Sequence, residues 1–304
     1  MSKRLYRRFG LHKGPDDDGS EEERAAVGKD ILERIREATG FYEARDPARG
    51  RKMYPYLLAA ASLLLLVAAF TGFLWLRHDG AAGGYITVTV PAGQVRELKL
   101  PDGSVVWLNA ASTLRYPAAF DSVREVWLEE GEAFFSVKSD PSAPFIVRSS
   151  DLQTRVLGTS FRVKAYKSLR EVKVAVITGK VSVSTGREKL GILQPDEEII
   201  YDKAKHHTVA APVKAEETVQ WQHGDVILRA AHFDDIALAI GNAYNMKLVY
   251  DKAAFRECES SIRFNTHMPL EEVMRMLRDI QHIGYRIDRE SGEVVISGGG
   301  CSGQ

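Results

Sequence analysis

From Tyr56 to Leu76 the chain reads YLLAAASLLLLVAAFTGFLWL, 21 residues without a charge. At about 1.5 Å per residue a helix of this run is roughly 32 Å long, close to the ~30 Å hydrocarbon thickness of a bilayer. Tyr56 and Trp75 stand at its ends, where amphipathic rings favour the headgroup layer, and Leu66 lies near its middle. A secretory signal has a short leader and a shorter apolar stretch, whereas residues 1–53 precede this one. A transmembrane helix is therefore expected over residues 54–77. Arg36, Arg45, Arg49, Arg51 and Lys52 lie before it, against Arg77 and Arg96 after it. The positive-inside asymmetry predicts a single-pass protein with residues 1–53 in the cytoplasm and residues 78–304 outside it.

The arm of residues 1–53 has too few large apolar groups to build a core. Pro15 to Glu23 is an acidic, turn-rich run that reads as a solvated loop. Beyond it Ile31, Ile35, Ala38 and Tyr42 recur at helical spacing with Leu32 beside them, which predicts an amphipathic helix over residues 25–42. A helix this short is marginal alone in water. Its stripe calls for a partner surface, a protein or a membrane face, unless the helix merely continues toward the apolar run.

Residues 85–210 alternate in period two, as in Val88 and Val90, Val106 and Leu108, Val126 and Leu128, Phe161 and Val163, and Val172, Val174 and Val176. Turn signals such as Pro101-Asp102-Gly103 punctuate them, so an all-β module, sandwich or solenoid-like, is expected. Residues 226–297 change character. Asp234-Asp235 opens a helix carrying Ile236 and Ile240, and Leu270, Val273, Leu277 and Ile280 form the stripe of a second. Short strands between and after them predict a small α+β module, followed by a Gly-rich tail.

Equal numbers of basic and acidic residues, 41 each, argue against a protein that coats nucleic acid. The two cysteines, Cys258 and Cys301, exclude a disulfide-stapled scaffold and a four-Cys zinc ribbon but permit one bridge. The eight histidines show no ligand spacing, so neither a metal site nor any cofactor is expected. No carboxylate pair reads as the machinery of a hydrolase.

Several motifs occur in order: Val90-Pro91-Ala92-Gly93-Gln94, then Leu100-Pro101-Asp102-Gly103-Ser104 through Ala110, then Leu114-Arg115-Tyr116-Pro117, Gly131-Glu132-Ala133-Phe134-Phe135, Pro144-Phe145-Ile146-Val147 and Leu157-Gly158-Thr159-Ser160-Phe161. Together they resemble the FecR family of membrane-anchored sigma-factor regulators. Residues 226–297 are similar to that family's following module, itself like the short N-terminal domain of secretins and TonB-dependent receptors. Trp221-Gln222-His223-Gly224 falls where the family joins the two modules. Arg162 departs from the pattern, which often has Asn after Phe.

The resemblance implies an inner-membrane protein with a periplasmic C-terminus and no direct contact with nucleic acid. The arm would hold an extracytoplasmic-function sigma factor through Ile31, Leu32, Ile35 and Tyr42. The C-terminal module would dock the signalling domain of a TonB-dependent outer-membrane receptor, so that the chain controls genes for uptake of an iron chelate or glycan. The family's proteolytic processing also makes Gly158–Thr159 a candidate self-cleavage bond, with the Thr159 hydroxyl attacking the Gly158 carbonyl. The simpler reading of Gly158 is a bend between strands. Two other classes remain open on the residues alone: an envelope scaffold, and a membrane-tethered carbohydrate-binding β-domain.

Overall fold

The computed structural model describes residues 21–39, 54–78, 84–186 and 188–298. The chain divides at Ala81/Ala82 into two compact units. The first contains two helices, α1 (Glu21–Thr39) and α2 (Tyr54–His78). Glu21 and Glu22 open α1 and Arg36 lies in its last turn, which complements the helix dipole at both ends. The end of the acidic run is thus helix rather than the expected loop. Arg34 and Asp30 add an exposed i,i+4 pair at 3.2 Å.

The anchor expectation is corrected. Among the described residues no helix is long and apolar enough to cross a membrane. Leu66 lies near the middle of α2, which runs Tyr54–His78. Leu66 is 68% exposed there. The side chains of Tyr56 and Trp75 lie outside the described set. The single-pass topology, with its cytoplasmic N-terminus, inner-membrane helix and periplasmic C-terminus, falls with the anchor on which it was built.

The second unit begins with two rows of strands that share one member. The first row runs β1 (Tyr85–Val90), β4 (Ser112–Pro117), β5 (Arg124–Ser136), β6 (Phe145–Ser149), β7 (Leu152–Val156), β10 (Val181–Thr185) and β11 (Lys189–Leu193). The second runs β2 (Arg96–Lys99), β3 (Val105–Leu108), β5 again, β8 (Ser160–Ala165), β9 (Glu171–Thr178), β12 (Glu197–Asp202) and β13 (His207–Pro212). The N-terminal half of β5 pairs with β4 and, in parallel, with β6; its C-terminal half pairs with β3 and β8. The strand changes rows at Gly131, which has φ 105°.

Strand alternation drives both rows onto one core. Leu114, Val126, Val147 and Val183 come from the first row, and Val106, Phe135, Phe161 and Val174 from the second. Phe135 and Phe161 stack with centroids 5.1 Å apart. The module is therefore a branched, nearly closed sheet of thirteen strands folded over a common core, with β5 shared by both rows, in place of the expected sandwich or solenoid.

A 3-10 helix (Ala215–His223) leads into β14 (Asp225–His232), α3 (Phe233–Tyr244), β15 (Lys247–Val249), β16 (Glu259–Asn265), α4 (Leu270–Gln281), β17 (Gly284–Asp288) and β18 (Glu293–Ser297). β14 pairs with β16, and β15, β18 and β17 form a second small sheet. Asp234 and Asp235 occupy the first turn of α3, and Asn245 ends it at φ 51°. α4 buries Leu270, Val273, Met274 and Leu277. Ile280, expected in that stripe, is 40% exposed, because it falls in the last turn beyond the core that Met274 helps to fill. Cys258 is buried and disulfide-bonded; Cys301, with the rest of residues 299–304, lies outside the described residues.

Candidate functional site

The β-rich module and the α+β module meet through charged groups that are almost fully buried. Strand alternation places Arg162 and Lys164 of β8 on the face opposite the Phe161 and Val163 core side chains. On an uncovered sheet that face would be wet. Here the 3-10 helix, β14 and α3 contribute the groups around it. Lys164 Nζ donates to Asp235 Oδ1 at 2.5 Å, and Lys173 Nζ lies 3.7 Å from Asp235 Oδ2. Burial alone would raise the pKa of Asp235, but the Lys164 and Lys173 charges and the Lys164 hydrogen bond more than offset it and hold the carboxyl down at about 2.

Beside this cluster Arg162 bridges two carboxylates. Its Nη1 donates to Glu132 at 3.2 Å and its Nη2 to Glu198 at 2.5 Å, all three side chains being buried. The second oxygen of Glu132 accepts from Asn109 Nδ2 at 2.9 Å. Arg162, the residue that departs from the family pattern, is therefore matched by one carboxylate from β5, next to β8, and one from β12, two strands away on the other side. Tyr166 donates its hydroxyl proton to the Ala110 carbonyl at 2.8 Å, and burial, helped by the Glu132 charge, pushes its pKa up.

Backbone contacts complete the junction. The Gly93 N–H, in the loop after β1, donates to the Asn242 carbonyl near the end of α3 at 2.6 Å. Trp221 is buried in the 3-10 helix, and Gly224 reverses the chain behind it at φ 87°. A Cβ on Gly224 would stand 2.9 Å from Thr266 Oγ1, so this turn admits little else. Between the modules and the 3-10 helix lies a cleft of about 420 Å³.

The residues expected to bind a sigma factor fall in the other unit. Ile31, Leu32 and Ile35 lie on α1, where Ile31 is half-buried and Leu32 is 69% exposed. Tyr42 lies outside the described residues. Gly158 and Thr159 lie in the turn between β7 and β8. The Thr159 hydroxyl donates to the Lys180 carbonyl at 3.1 Å. A Cβ on Gly158 would approach Ser139 Cα to 2.6 Å, so the bend at this glycine has a packing reason of its own. Among the described residues no group of three or more His, Cys, Asp or Glu is arranged to hold a metal ion.

Sequence reasoning missed Lys164, Asp235, Glu132 and Glu198 as a functional constellation. Their sequence signal is weak. Alternation marks Arg162 and Lys164 as solvent-facing, and only the covering module reverses that assignment.

Comparison with known proteins identifies the class. Residues 86–182 match the family model described as FecR protein, and residues 225–296 match FecR, C-terminal. Two crystal structures of a candidate anti-sigma factor from Parabacteroides distasonis, at 2.50 and 1.65 Å resolution, share the fold. The first is 30% identical with a TM-score of 0.66 and covers 70% of this chain and 99% of its own. The second is 31% identical with a TM-score of 0.65 and covers 69% of this chain and 98% of its own. No curated protein matches. The two-module fold and these likenesses define a sigma-factor regulator rather than a member of a known enzyme class. The chain belongs to the FecR family. A sigma factor is accordingly its partner in general terms.

Proposed function

We propose that the chain relays a signal from the signalling domain of a TonB-dependent receptor to an extracytoplasmic-function sigma factor, and so governs genes for uptake of a nutrient such as an iron chelate or a glycan. The α1 stripe of Ile31, Leu32 and Ile35 holds the sigma factor, continued by Tyr42 in sequence. The observation that carries this reading is the exposure of Leu32 on a helix too short to be stable on local interactions alone. Ile31→Asp combined with Ile35→Asp places two charges in the stripe. Losing one interface anchor costs about 2 kcal/mol or more, so co-purification of the sigma factor with the full chain is expected to fall at least about thirtyfold. Undiminished recovery with the double variant would rule out the stripe.

The receptor docks on the α+β module by strand addition. Among the described strands β17 pairs with β18 alone, which leaves its other edge open. Neighbouring residues in a strand direct their amides to opposite edges. Of Arg286→Pro and Ile287→Pro, one therefore removes an outward amide while the other breaks the pairing with β18. The variant that keeps the parent melting temperature is expected to bind the receptor domain at least about tenfold more weakly, measured by calorimetry. Equal binding by that variant would move the docking site off β17.

A further inference from the structure

The outer strands of the β-rich module do not guard their edges alike. β2 carries Arg96, Glu97 and Lys99. β11 starts at Lys189 and meets β10 through a register shift. β13 starts at His207 and stops at Pro212. Charge, irregular pairing and proline are the devices that keep a sheet edge from recruiting another strand. β1 has none of them. It reads Tyr85-Ile86-Thr87-Val88-Thr89-Val90, without a charge or a proline, and keeps one register with β4 along its length. Among the described strands it pairs with β4 alone. Tyr85 is 57% and Ile86 42% exposed, so bare apolar surface accompanies the open backbone.

The ladder with β4 decides which backbone groups of β1 stay open. Just before the strand, the Ala118 N–H donates to the Gly84 carbonyl opposite it at 3.0 Å. Bonded and unbonded pairs alternate along an antiparallel ladder. Ile86, Val88 and Val90 therefore turn their backbone groups toward β4, and Tyr85, Thr87 and Thr89 turn theirs to the open edge. Two contacts agree with this phase. Tyr85 stands opposite Pro117, which has no N–H to give it, and the Thr89 and Thr113 hydroxyls meet at 3.2 Å, as side chains of an unbonded pair can. The side chains of Tyr85, Thr87 and Thr89 are exposed as well.

We propose that this edge pairs with the β1 strand of a second copy of the chain, antiparallel about a two-fold axis at Thr87. Thr87 is the middle one of the three outward residues, so this register uses all of them. It sets Thr87 against Thr87 and Tyr85 against Thr89 of the second copy, with roughly six main-chain hydrogen bonds in all. Ile86 then meets Val88, which covers its exposed side chain, and Tyr85 against Thr89 is an aromatic and β-branched pair. A register centred on Val88 would set Tyr85 against Pro91 and lose bonds there. The absence of charge in β1 favours a second copy over a foreign strand. A two-fold axis brings like groups face to face, so an edge that pairs with itself must carry no charge near that axis. Arg115, beside Thr87 on β4, is already held by Glu129 at 2.7 Å. The surface is separate from the α1 stripe and from β17, and the pairing stands whether or not the receptor relay does.

The test follows the full chain through a dilution series, with sedimentation reporting the dimer and hydrogen exchange reporting the β1 amides. Amide protection in β1 is expected to rise with protein concentration, in step with the dimer. Thr87→Lys sets two like charges at the axis, and Thr87→Pro removes the outward amide while leaving the ladder with β4. Each is expected to weaken the dimer at least about tenfold and to abolish the concentration dependence at β1. A change of geometry gives an independent readout. Thr87→Cys should form a disulfide-linked dimer on mild oxidation, because the two Thr87 positions face each other at about 5.5 Å between Cα atoms. Thr89→Cys should not, because its counterpart lies roughly four residues along the strand. β1 protection that is the same at every concentration would overturn the proposal. So would equal cross-linking at the two positions, or a dimer that both Thr87 variants keep at the parent affinity; the last would place the contact on another surface, such as the exposed leucines of α2.

Discussion

Asp235→Ala is expected to destabilise the second unit by about 3–5 kcal/mol, the cost of removing one member of a buried ion pair. Among the described residues Asp235 is the carboxylate that pairs with Lys164, at 2.5 Å, and it also faces Lys173 at 3.7 Å. Its loss leaves the Lys164 ammonium buried without its partner. The damage falls at the contact between β8 and the first turn of α3, so the modules should loosen at their junction before either core melts. Denaturant unfolding of the full chain measures the loss. Hydrogen exchange should show faster opening around the 3-10 helix than around Phe135 and Phe161. Arg148→Ala removes an exposed partner of Glu125 and is expected to cost under about 1 kcal/mol.

The same carboxylate sets an acid limit. Its pKa is about 2 in the folded chain against an ordinary value of 3.8. A folded pKa below the unfolded one means that the stabilisation is complete above about pH 4 and is lost as pH falls through about 2. The difference corresponds to about 2 kcal/mol. The parent protein should therefore lose stability between pH 4 and 2 more steeply than Asp235→Ala. Parallel curves for the two proteins would show that Asp235 titrates normally and that its ion pairs contribute little.

Much of the fold was legible from alternation and turns, because those patterns report on contacts close in sequence. Val172, Val174 and Val176 read as one strand face and form one, and Asp234-Asp235 marks the start of α3. The relation between the two modules was not legible. Lys164 and Asp235 are 71 residues apart, and neither looks buried from its neighbours. In the sequence Arg162 stands out only as a departure from a family pattern; its carboxylates come from β5 and β12, and no local rule connects those strands. The apolar run at Tyr56–Leu76 shows the opposite error. Composition predicts helix there correctly, but the crossing of a membrane was inferred from length, and the described helix does not carry it.

Gly131→Ala is expected to be as damaging as any substitution in the β-rich module, although it adds one methyl group. Gly131 sits where β5 leaves the β4 and β6 ladders and joins those of β3 and β8, and its φ of 105° is one that side chains rarely adopt. A Cβ there would lie 2.1 Å from Ser112 Oγ, 2.4 Å from Ser112 Cβ and 2.5 Å from Ser112 Cα. A rotamer change cannot clear the last of these, so β4 itself must move. That movement also breaks the bond from the Glu132 N–H to Ser112 Oγ at 2.9 Å and disturbs Glu132, which holds Arg162. Strain at positive φ of about 1–2 kcal/mol and overpacking of about 1–3 kcal/mol together predict a loss of about 2–5 kcal/mol. Gly103→Ala separates the two causes. Gly103 has φ 86°, but the nearest atom to its added Cβ is Lys138 Cδ at 3.7 Å, so only the backbone strain applies. Denaturant midpoints should place Gly103→Ala about 1–2 kcal/mol below the parent and Gly131→Ala clearly lower still. Equal losses would mean that β4 yields freely at Ser112, and the crossing of β5 would then not depend on the missing side chain.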